Sequence, residues 1–398
     1  MTGELARRIA ISIGALLIFR FGCYIPLPGI SSPGGLPVSA ASISILSLSV
    51  IPYLSAAIII QLVSVVWRGL SALERSGEAG RRKVARYTLI LTLVLAAFQA
   101  FGVASAIQSV PRVVAEPGGW FLASATASMV GGVFFLVWLS EQITRHGIGN
   151  GLALILSAGI FVSLPGEVAK MLELLRQGAI STNLALFHVV GWVAVVAVIV
   201  FVESARRNVP VQYAAQQAGR RLLPARASAL SIKVNNAGYL MPTTVAPWIF
   251  FLPLAFATLM FGQTPWLGAI TDHLQFGQPV HVILGATAIF VLAFVYTAYV
   301  LDPERAAETL RERGGTIPGI APGEPTADHL DRVVSLTTAI GAIYLVAISM
   351  IPEALVAGGA PLLNNIGGGS ALIVVCTILD LRTQVRDLSL TEPGGERI

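Results

Sequence analysis

Residues 51–62 read IPYLSAAIIIQL, and this run contains no charged side chain. It lies inside a longer apolar segment from Ile43 to Trp67, which is also free of Lys, Arg, Asp and Glu. About 20 helical residues cross the roughly 30 Å hydrocarbon core of a bilayer. The segment therefore predicts a membrane-spanning helix, and the rest of the chain repeats this pattern.

The composition of the whole chain is typical of a protein embedded in lipid. Of its 398 residues, 55% are hydrophobic and only 12% are charged, and the mean hydropathy is +0.77. Soluble globular chains carry about 25% charged residues, so a large soluble domain is excluded. Hydropathy predicts an all-α integral membrane fold. Its ten predicted spans are Ile9 to Ile25, Ile43 to Trp67, Tyr87 to Ile107, Phe121 to Leu139, Gly149 to Leu164, Leu184 to Val202, Ala237 to Phe261, Val280 to Leu301, Val333 to Ile351 and Leu362 to Leu381.

The distribution of basic residues predicts the orientation of these spans. Of the 26 Lys and Arg, 22 lie before span one, in the connections after spans two, four, six and eight, or in the C-terminal tail. The opposite side carries only Arg112, Lys170 and Arg176, and Arg20 lies within span one. Because cytoplasmic loops are enriched in Lys and Arg, both termini are predicted to be cytoplasmic. The short fifth span and the Asn- and Gly-interrupted tenth span are both needed to keep the alternation.

Arg20 is the one charge deep inside a predicted span. A charged side chain at this depth is costly unless it reaches the interface or finds a partner. We expect Arg20 to snorkel toward the interface or to be paired.

Two cytoplasmic connections, residues 203–235 and 302–332, are long and charged. A basic loop of this kind binds anionic lipid headgroups or a large anionic partner such as ribosomal RNA or an acidic protein face. The basic residues of the first connection are Arg206, Arg207, Arg220, Arg221, Arg226 and Lys233.

Residue patterns typical of catalytic and metal sites are missing from the sequence. The five histidines are dispersed, and none has a second ligand three or four residues away. The glycine-rich stretch at residues 147–151 precedes an apolar span, so it predicts a helix-start loop and not a phosphate-binding loop. We predict neither an enzyme nor a metal or cofactor site. The lack of buried mid-span carboxylates also argues against a secondary transporter, which stays open as the alternative class.

Several short motifs stand out along the chain. They are Phe19 to Gly22 with Ile25 to Ile30, Ile51 to Leu62, Gly77 to Lys83, Glu141 to Thr144 with Gly147 to Gly151, Pro210 to Tyr213, Lys233 to Gly238, Pro318 to Ile320 with Pro322 to Glu324, and Gly368 to Ser370. In this order they resemble the motifs of the SecY/Sec61-alpha family of protein-conducting channels, and the similarity covers nearly the whole chain.

This resemblance implies a channel for unfolded polypeptides, with a lateral gate that releases membrane segments into the bilayer. The gate is expected between spans two and three on one side and seven and eight on the other. Two pseudo-symmetric halves, residues 1–178 and 179–398, are expected to surround a pore that is sealed by an apolar ring. An apolar constriction blocks ions by dewetting. By position in the motifs, the ring residues are Val50, Leu54, Leu156, Ile160, Thr243 and Ile373.

The resemblance also implies partners. They are SecE-like and SecG-like small membrane subunits, the ribosome or the SecA ATPase at the cytoplasmic loops, signal peptides and nascent preproteins. The residues expected to bind the ribosome or SecA are Arg206, Arg207, Arg220, Arg221 and Lys233. Anionic lipids are expected as a further partner from the charge of the loops alone. The expected location is the bacterial cytoplasmic membrane.

Two departures from the family pattern stand out. Only Ile30 to Ser42 separate the first two motifs, and this segment is rich in Pro and Gly, so it is too short for a full plug helix. In the family motif Pro-Gly-Ile-Arg-Pro-Gly, the arginine position is occupied by Ala321, which puts dependence on SecA in doubt. These departures favour a non-housekeeping paralogue acting mainly in membrane insertion as a further alternative. A non-conducting scaffold or insertase is a third class.

Overall fold

The computed structural model describes residues 3–30, 43–111, 113–213, 216–218, 221–223, 226–236, 238, 254, 257–258, 264–275, 277–357 and 367–390. The helices are α1 (Gly3–Gly22), α2 (Ile51–Val66), α3 (Arg68–Arg75), α4 (Glu78–Ser109), α5 (Gly119–His146), α6 (Gly151–Arg176), α7 (Thr182–Ser204), α8 (Pro265–His273), α9 (Pro279–Val300), α10 (Pro303–Glu312), α11 (Glu324–Ala357) and α12 (Gly368–Leu390). The strands are β1 (Arg206–Tyr213), β2 (Gln216–Ala218), β3 (Arg221–Leu223), β4 (Arg226–Lys233) and β5 (Gly315–Thr316).

Nine of the ten predicted spans coincide with helices in the part of the chain that the structure describes, and most of the seventh lies outside it. Seven of these helices are long and apolar enough to cross a membrane. Of the other two, α1 carries four charged residues and α2 has only 16 residues. The helix of the fifth span is longer than the predicted span, which ends at Leu164. Helix α6 continues past Pro165 through polar residues to Arg176.

The chain divides into two compact units. One comprises Met1–Pro165 with Thr377–Ile398, and the other comprises Gly166–Cys376. The division into two pseudo-symmetric halves at residue 178 stays a prediction.

In the first unit, α4 and α5 pack through small residues. Ala96, Ala100 and Ala104 are spaced four residues apart on α4 and belong to one buried cluster with Ala125 and Met129 of α5. In lipid, helices gain little from burying apolar surface, so close van der Waals contact between small residues holds them together.

The loop before α6 is the predicted helix-start loop. Asn150 caps α6, because its side-chain oxygen accepts from the backbone N–H groups of Leu152 and Ala153 at 3.0 and 3.3 Å. The hydroxyl of Ser12 in α1 accepts from the N–H of Ile148 at 2.8 Å. This glycine-rich motif therefore joins α1 to the start of α6.

Arg20 is paired, as the sequence predicts for a charge at this depth. Its guanidinium donates to the hydroxyl of Tyr24 at 2.5 Å and lies 4.5 Å from the centre of the Tyr24 ring. The aromatic face and the hydroxyl together stabilise the charge near the end of α1.

The chain on both sides of residues 31–42 is held by backbone hydrogen bonds. The N–H of Leu27 donates to the Ile43 carbonyl at 3.3 Å, and the N–H of Ile45 donates to the Ile25 carbonyl at 3.1 Å. Residues 31–42, on which the prediction of a truncated plug rests, lie outside the described residues. The segment leading into α2 is thus anchored next to the end of α1.

The same segment also touches α5 at a glycine. A Cβ atom added to Gly132 would lie 2.1 Å from the Ile45 carbonyl oxygen, whereas one added to Gly131 would meet nothing within 4 Å. Only glycine permits this close approach of the Ile45 backbone to the helix.

We expect Gly132→Ala to destabilise the protein by about 1 to 3 kcal/mol, because the new methyl group overpacks a backbone contact. Gly131→Ala is the matched control and is expected to leave stability unchanged or raise it by up to about 1 kcal/mol, because Ala favours helix over Gly. Thermal unfolding of the detergent-purified variants measures the difference. Equal melting temperatures would contradict the close approach.

Candidate functional site

The two long cytoplasmic connections fold together into one small sheet. Strand β1 pairs antiparallel with β4 over eight residues, from Arg206 opposite Lys233 to Tyr213 opposite Arg226. Strand β5, from the second connection, pairs with the other edge of β1 through Gln212 and Thr316. The strand order is β4-β1-β5. We call these three strands the cytoplasmic sheet.

One face of the cytoplasmic sheet covers an apolar core. Along β1, Val209 and Val211 are buried while Asn208 and Pro210 are exposed, as expected for a strand with one covered face. The core beneath is supplied by α10 and the first turns of α11. Its buried members are Val209, Val211, Ile232, Ala307, Leu310, Ile317 and Leu330.

The base of the sheet is tied to two membrane helices by consecutive asparagines. The Asn235 amide donates to the Glu203 carboxylate of α7 at 2.7 Å. The Asn236 amide donates to the Thr337 hydroxyl of α11 at 3.0 Å. Gly341 leaves room for this turn, since an added Cβ atom would lie 2.9 Å from the Val234 carbonyl oxygen. The motif at residues 233–238 therefore fixes the sheet on the helices below it.

The predicted partner-binding residues are placed as follows. Arg206, Arg207 and Lys233 are exposed at the end of the sheet nearest the membrane helices. Arg221 begins β3, in the two-stranded β2-β3 extension of the hairpin. Arg220 lies outside the described residues. The structure thus brings Arg206 and Lys233 together and says nothing about Arg220.

Arg206 and Lys233 form an unusual cross-strand pair. They lie directly opposite each other in the antiparallel ladder. Like charges at such positions repel and destabilise a sheet. In the part of the chain that the structure describes, neither residue forms an ion pair with an acidic side chain. The pair therefore presents two unneutralised positive charges to the cytoplasm.

The predicted ring residues of the first unit lie in or beside one apolar cluster. Val50 is fully buried and Leu54 nearly so, in a cluster with Phe19 of α1 and Leu136 of α5. Leu156 of α6 is partly buried and packs against the same cluster. Val50 and Leu54 are four residues apart at the start of α2, and the N–H of Leu54 donates to the Val50 carbonyl at 3.1 Å.

The remaining ring candidates are less buried or fall outside this cluster. Ile160 follows Leu156 by four residues, on the same face of α6, and is half-buried. Ile373 is half-buried on α12 in the second unit. Thr243 lies outside the described residues.

Sequence reasoning missed two features of this region. It treated the long connections as loops, although the alternation of Val209, Val211 and Tyr213 is the signal of a strand. It also missed the buried hydrogen bond from Ser157 of α6 to Thr377 of α12, at 2.9 Å, because the two residues are 220 positions apart.

Known proteins are similar to this chain over nearly its whole length. The SecY family model matches residues 44–382. The chain belongs to the SecY family. The protein translocase subunit SecY of Escherichia coli strain K12 is 40% identical over 414 residues, a region that covers 98% of this chain and 93% of that protein.

Two solved structures share the fold. One, described as the structure of a protein conducting channel, has a TM-score of 0.73 at 18% identity and covers 100% of this chain and 96% of its own. The other, Sec61 in the canine ribosome-channel complex from the endoplasmic reticulum, has a TM-score of 0.68 at 18% identity with the same coverage.

The family assignment confirms the main predictions. The chain has the all-α membrane fold of these channels with ten spans, and the cytoplasmic sheet lies in the connections between spans. It is a protein-conducting channel subunit of the cytoplasmic membrane and not an enzyme. The comparisons support neither the transporter nor the insertion-paralogue alternative.

The core under the cytoplasmic sheet can be tested at its most buried leucine. Leu330→Ala is expected to cost about 2 to 5 kcal/mol of local stability, because it leaves a cavity below β1. Leu336→Ala, on the same helix but 63% exposed, is the control. Limited trypsin digestion of membrane vesicles should cut the cytoplasmic connections faster in the first variant only. Similar digestion rates in both would show that Leu330 does not hold the sheet.

Proposed function

We propose that the cytoplasmic sheet is the docking surface through which this channel receives its substrates, and that the ribosome is its main partner. The observation that carries the proposal is the repelling pair of Arg206 and Lys233 on a well-supported sheet. An anionic partner placed across both side chains relieves this repulsion. A phosphate backbone offers closely spaced negative charges that suit such a pair.

The support beneath the sheet favours docking over a purely topological role for these basic residues. Positive charges that only orient a membrane protein need no fixed geometry. Here they stand on a ladder with its own apolar core and two anchoring asparagines. A preorganised surface loses less conformational entropy on binding than a loose basic loop does. Anionic lipid headgroups remain the simpler ligand for Arg207, which lies near the membrane helices.

The choice of the ribosome over SecA rests on two points. A solved channel with this fold is described in a complex with a ribosome. Ala321 also stands where the family motif has an arginine associated with motor-driven translocation. We propose that small SecE-like and SecG-like subunits complete the channel, and that signal peptides and nascent preproteins enter it.

The test replaces both charges by neutral side chains of similar length. Arg206→Gln with Lys233→Gln should weaken binding of ribosomes to the channel in nanodiscs and lower the slope of log K against log salt by up to about two, since each phosphate contact contributes nearly one. Co-sedimentation at two or more salt concentrations measures both quantities.

The control variant is Arg81→Gln with Arg82→Gln, which removes the same charge from another cytoplasmic segment. It should leave the salt slope unchanged. Equal weakening by both double variants would reduce the effect to net charge and overturn the docking surface. Unchanged ribosome binding together with weaker SecA binding would assign the sheet to the motor.

We also propose that the ring of Val50, Leu54, Leu156, Ile160, Thr243 and Ile373 seals the pore between two pseudo-symmetric halves, residues 1–178 and 179–398. The two four-residue pairs on α2 and α6 support this assignment, because that spacing places both members of a pair on one helix face. The side chains of these four residues, two Leu, one Val and one Ile, carry no charge or hydrogen-bonding group to hold an ion. A constriction of this chemistry passes an unfolded chain and blocks ions by dewetting.

Photocrosslinkers at Leu54 and Ile160 test the ring. A stalled translocating chain in the reconstituted channel should be captured at both positions, because a chain in transit must pass the constriction. Val193 of α7, an apolar position that is 61% exposed, is the control and should capture lipid or partner subunits instead. Capture at Val193 but at neither ring position would place the translocation path elsewhere and favour a non-conducting scaffold.

A further inference from the structure

Ser49 has a backbone conformation that serine rarely adopts. Its φ is 52°, and it is the one non-glycine residue with a positive φ in the part of the chain that the structure describes. The side chain of an L-residue crowds the backbone in this left-handed region, so such a residue stays there only when its surroundings hold it. Ser49 directly precedes Val50, the first residue of the proposed ring.

Residues 43–49, which we call the lead-in turn, have a defined shape of their own. The N–H of Ser47 donates to the Ser44 carbonyl at 3.1 Å, and the N–H of Ser49 donates to the Leu46 carbonyl at 2.9 Å. The Ser44 hydroxyl also accepts from the N–H of Leu46 at 3.3 Å. These bonds fix the backbone on the N-terminal side of Ser49.

Leu46 wedges the lead-in turn between α1 and α5. A Cβ atom added to Gly22 of α1 would lie 2.4 Å from Leu46 Cδ1, and one added to Gly132 of α5 would lie 3.1 Å from Leu46 Cδ2. Glycine on both helices therefore leaves the gap that the Leu46 side chain fills. Because interiors are close-packed, a side chain held in this way prevents the turn from sliding between the two helices.

The two residues on either side of Ser49 are buried in different apolar clusters. Leu48 lies in a cluster with Ala96 of α4. Val50 lies in the cluster with Leu136 of α5 and is fully buried. The backbone at Ser49 therefore has to satisfy packing on both sides at once, which explains how the left-handed conformation is held.

The backbone angle at Ser49 also sets where α2 begins. The Val50 carbonyl accepts from the N–H of Leu54 at 3.1 Å, so both residues belong to the first turn of this helix. A change of φ at one residue redirects the chain that follows it. With the lead-in turn wedged in place, a return of Ser49 to an ordinary negative φ would move Val50 and Leu54 together.

We propose that Ser49 is a positioning residue for the seal, because its left-handed backbone places Val50 and Leu54 in the ring. This inference rests on the proposed sealing role of the ring. Ser49 acts through the two residues that follow it and contacts neither ions nor a translocating chain in this role. The seal should therefore respond to the backbone preference of residue 49 and not to its hydroxyl group.

The test measures the resting open probability of single channels formed by the full chain in planar bilayers. Ser49→Gly and Ser49→Asn should stay within about twofold of the original, because Gly and Asn adopt the left-handed region readily. Ser49→Thr and Ser49→Val should open about tenfold more often, because β-branched residues are strongly disfavoured there. Thr keeps the hydroxyl and Gly lacks it, so grouping by hydroxyl would give the opposite pairing of these two variants.

Ser47→Val is the matched control, since Ser47 is an exposed serine of the same turn and its φ is not positive. It should leave the resting open probability unchanged. Thermal unfolding of each variant separates the seal from stability. A lower melting temperature of Ser49→Thr with an unchanged open probability would make Ser49 a purely structural residue and overturn the proposal. If Ser49→Val does not fold, the comparison of Ser49→Thr with Ser49→Gly decides.

Leu54→Asn tests the ring separately, because it places a hydrogen-bonding group in the apolar constriction. More frequent opening of Leu54→Asn, with no difference among the Ser49 variants, overturns the positioning role and leaves the ring in place. An unchanged open probability in Leu54→Asn means that the ring does not seal, and the positioning role fails with it. Equal effects of Ser47→Val and Ser49→Val would show that added bulk anywhere in the turn opens the channel, which also overturns the role of Ser49.

Discussion

Inside a bilayer, each backbone N–H and C=O must find its hydrogen-bond partner within the protein, because lipid offers none. This constraint makes the spans helical and confines irregular backbone to places where protein groups satisfy it. The chain on both sides of residues 31–42 obeys it through the paired bonds between Leu27 and Ile43 and between Ile45 and Ile25. The loop before α6 obeys it through Ser12 and Asn150.

In lipid the hydrophobic effect does not drive helices together, so close van der Waals packing between helices has to stabilise their association. The alanine row of α4 and the single glycine at position 132 of α5 serve this purpose in the first unit. In the second unit, Gly368 at the start of α12 does the same, since an added Cβ atom would lie 1.7 Å from the Ile348 carbonyl oxygen. Of the three glycines that weaken the tenth span in a hydropathy plot, Gly368 is thus a packing residue, whereas a Cβ atom added to Gly367 or Gly369 would meet nothing within 4 Å.

Outside the membrane the protein is in water, so burial of apolar side chains stabilises the cytoplasmic region. The sheet and α10 bury an apolar core of their own, which holds a repelling basic pair in a fixed position. The cytoplasmic region of this SecY-family channel therefore carries a basic surface with its own structural support.

The sequence by itself determined that the protein lies in lipid, the number and orientation of its spans, and its family. Hydropathy and the distribution of Lys and Arg can be read from residue order alone, and so can the short motifs that carry the family resemblance. It also located the basic residues of the long connections. It did not reveal that β1 pairs with β5 across about a hundred residues, or that Ser157 meets Thr377, because such contacts depend on how distant segments fold back. Only the tertiary structure decided which charges lie opposite each other, since this is a property of spatial neighbours and not of residue order.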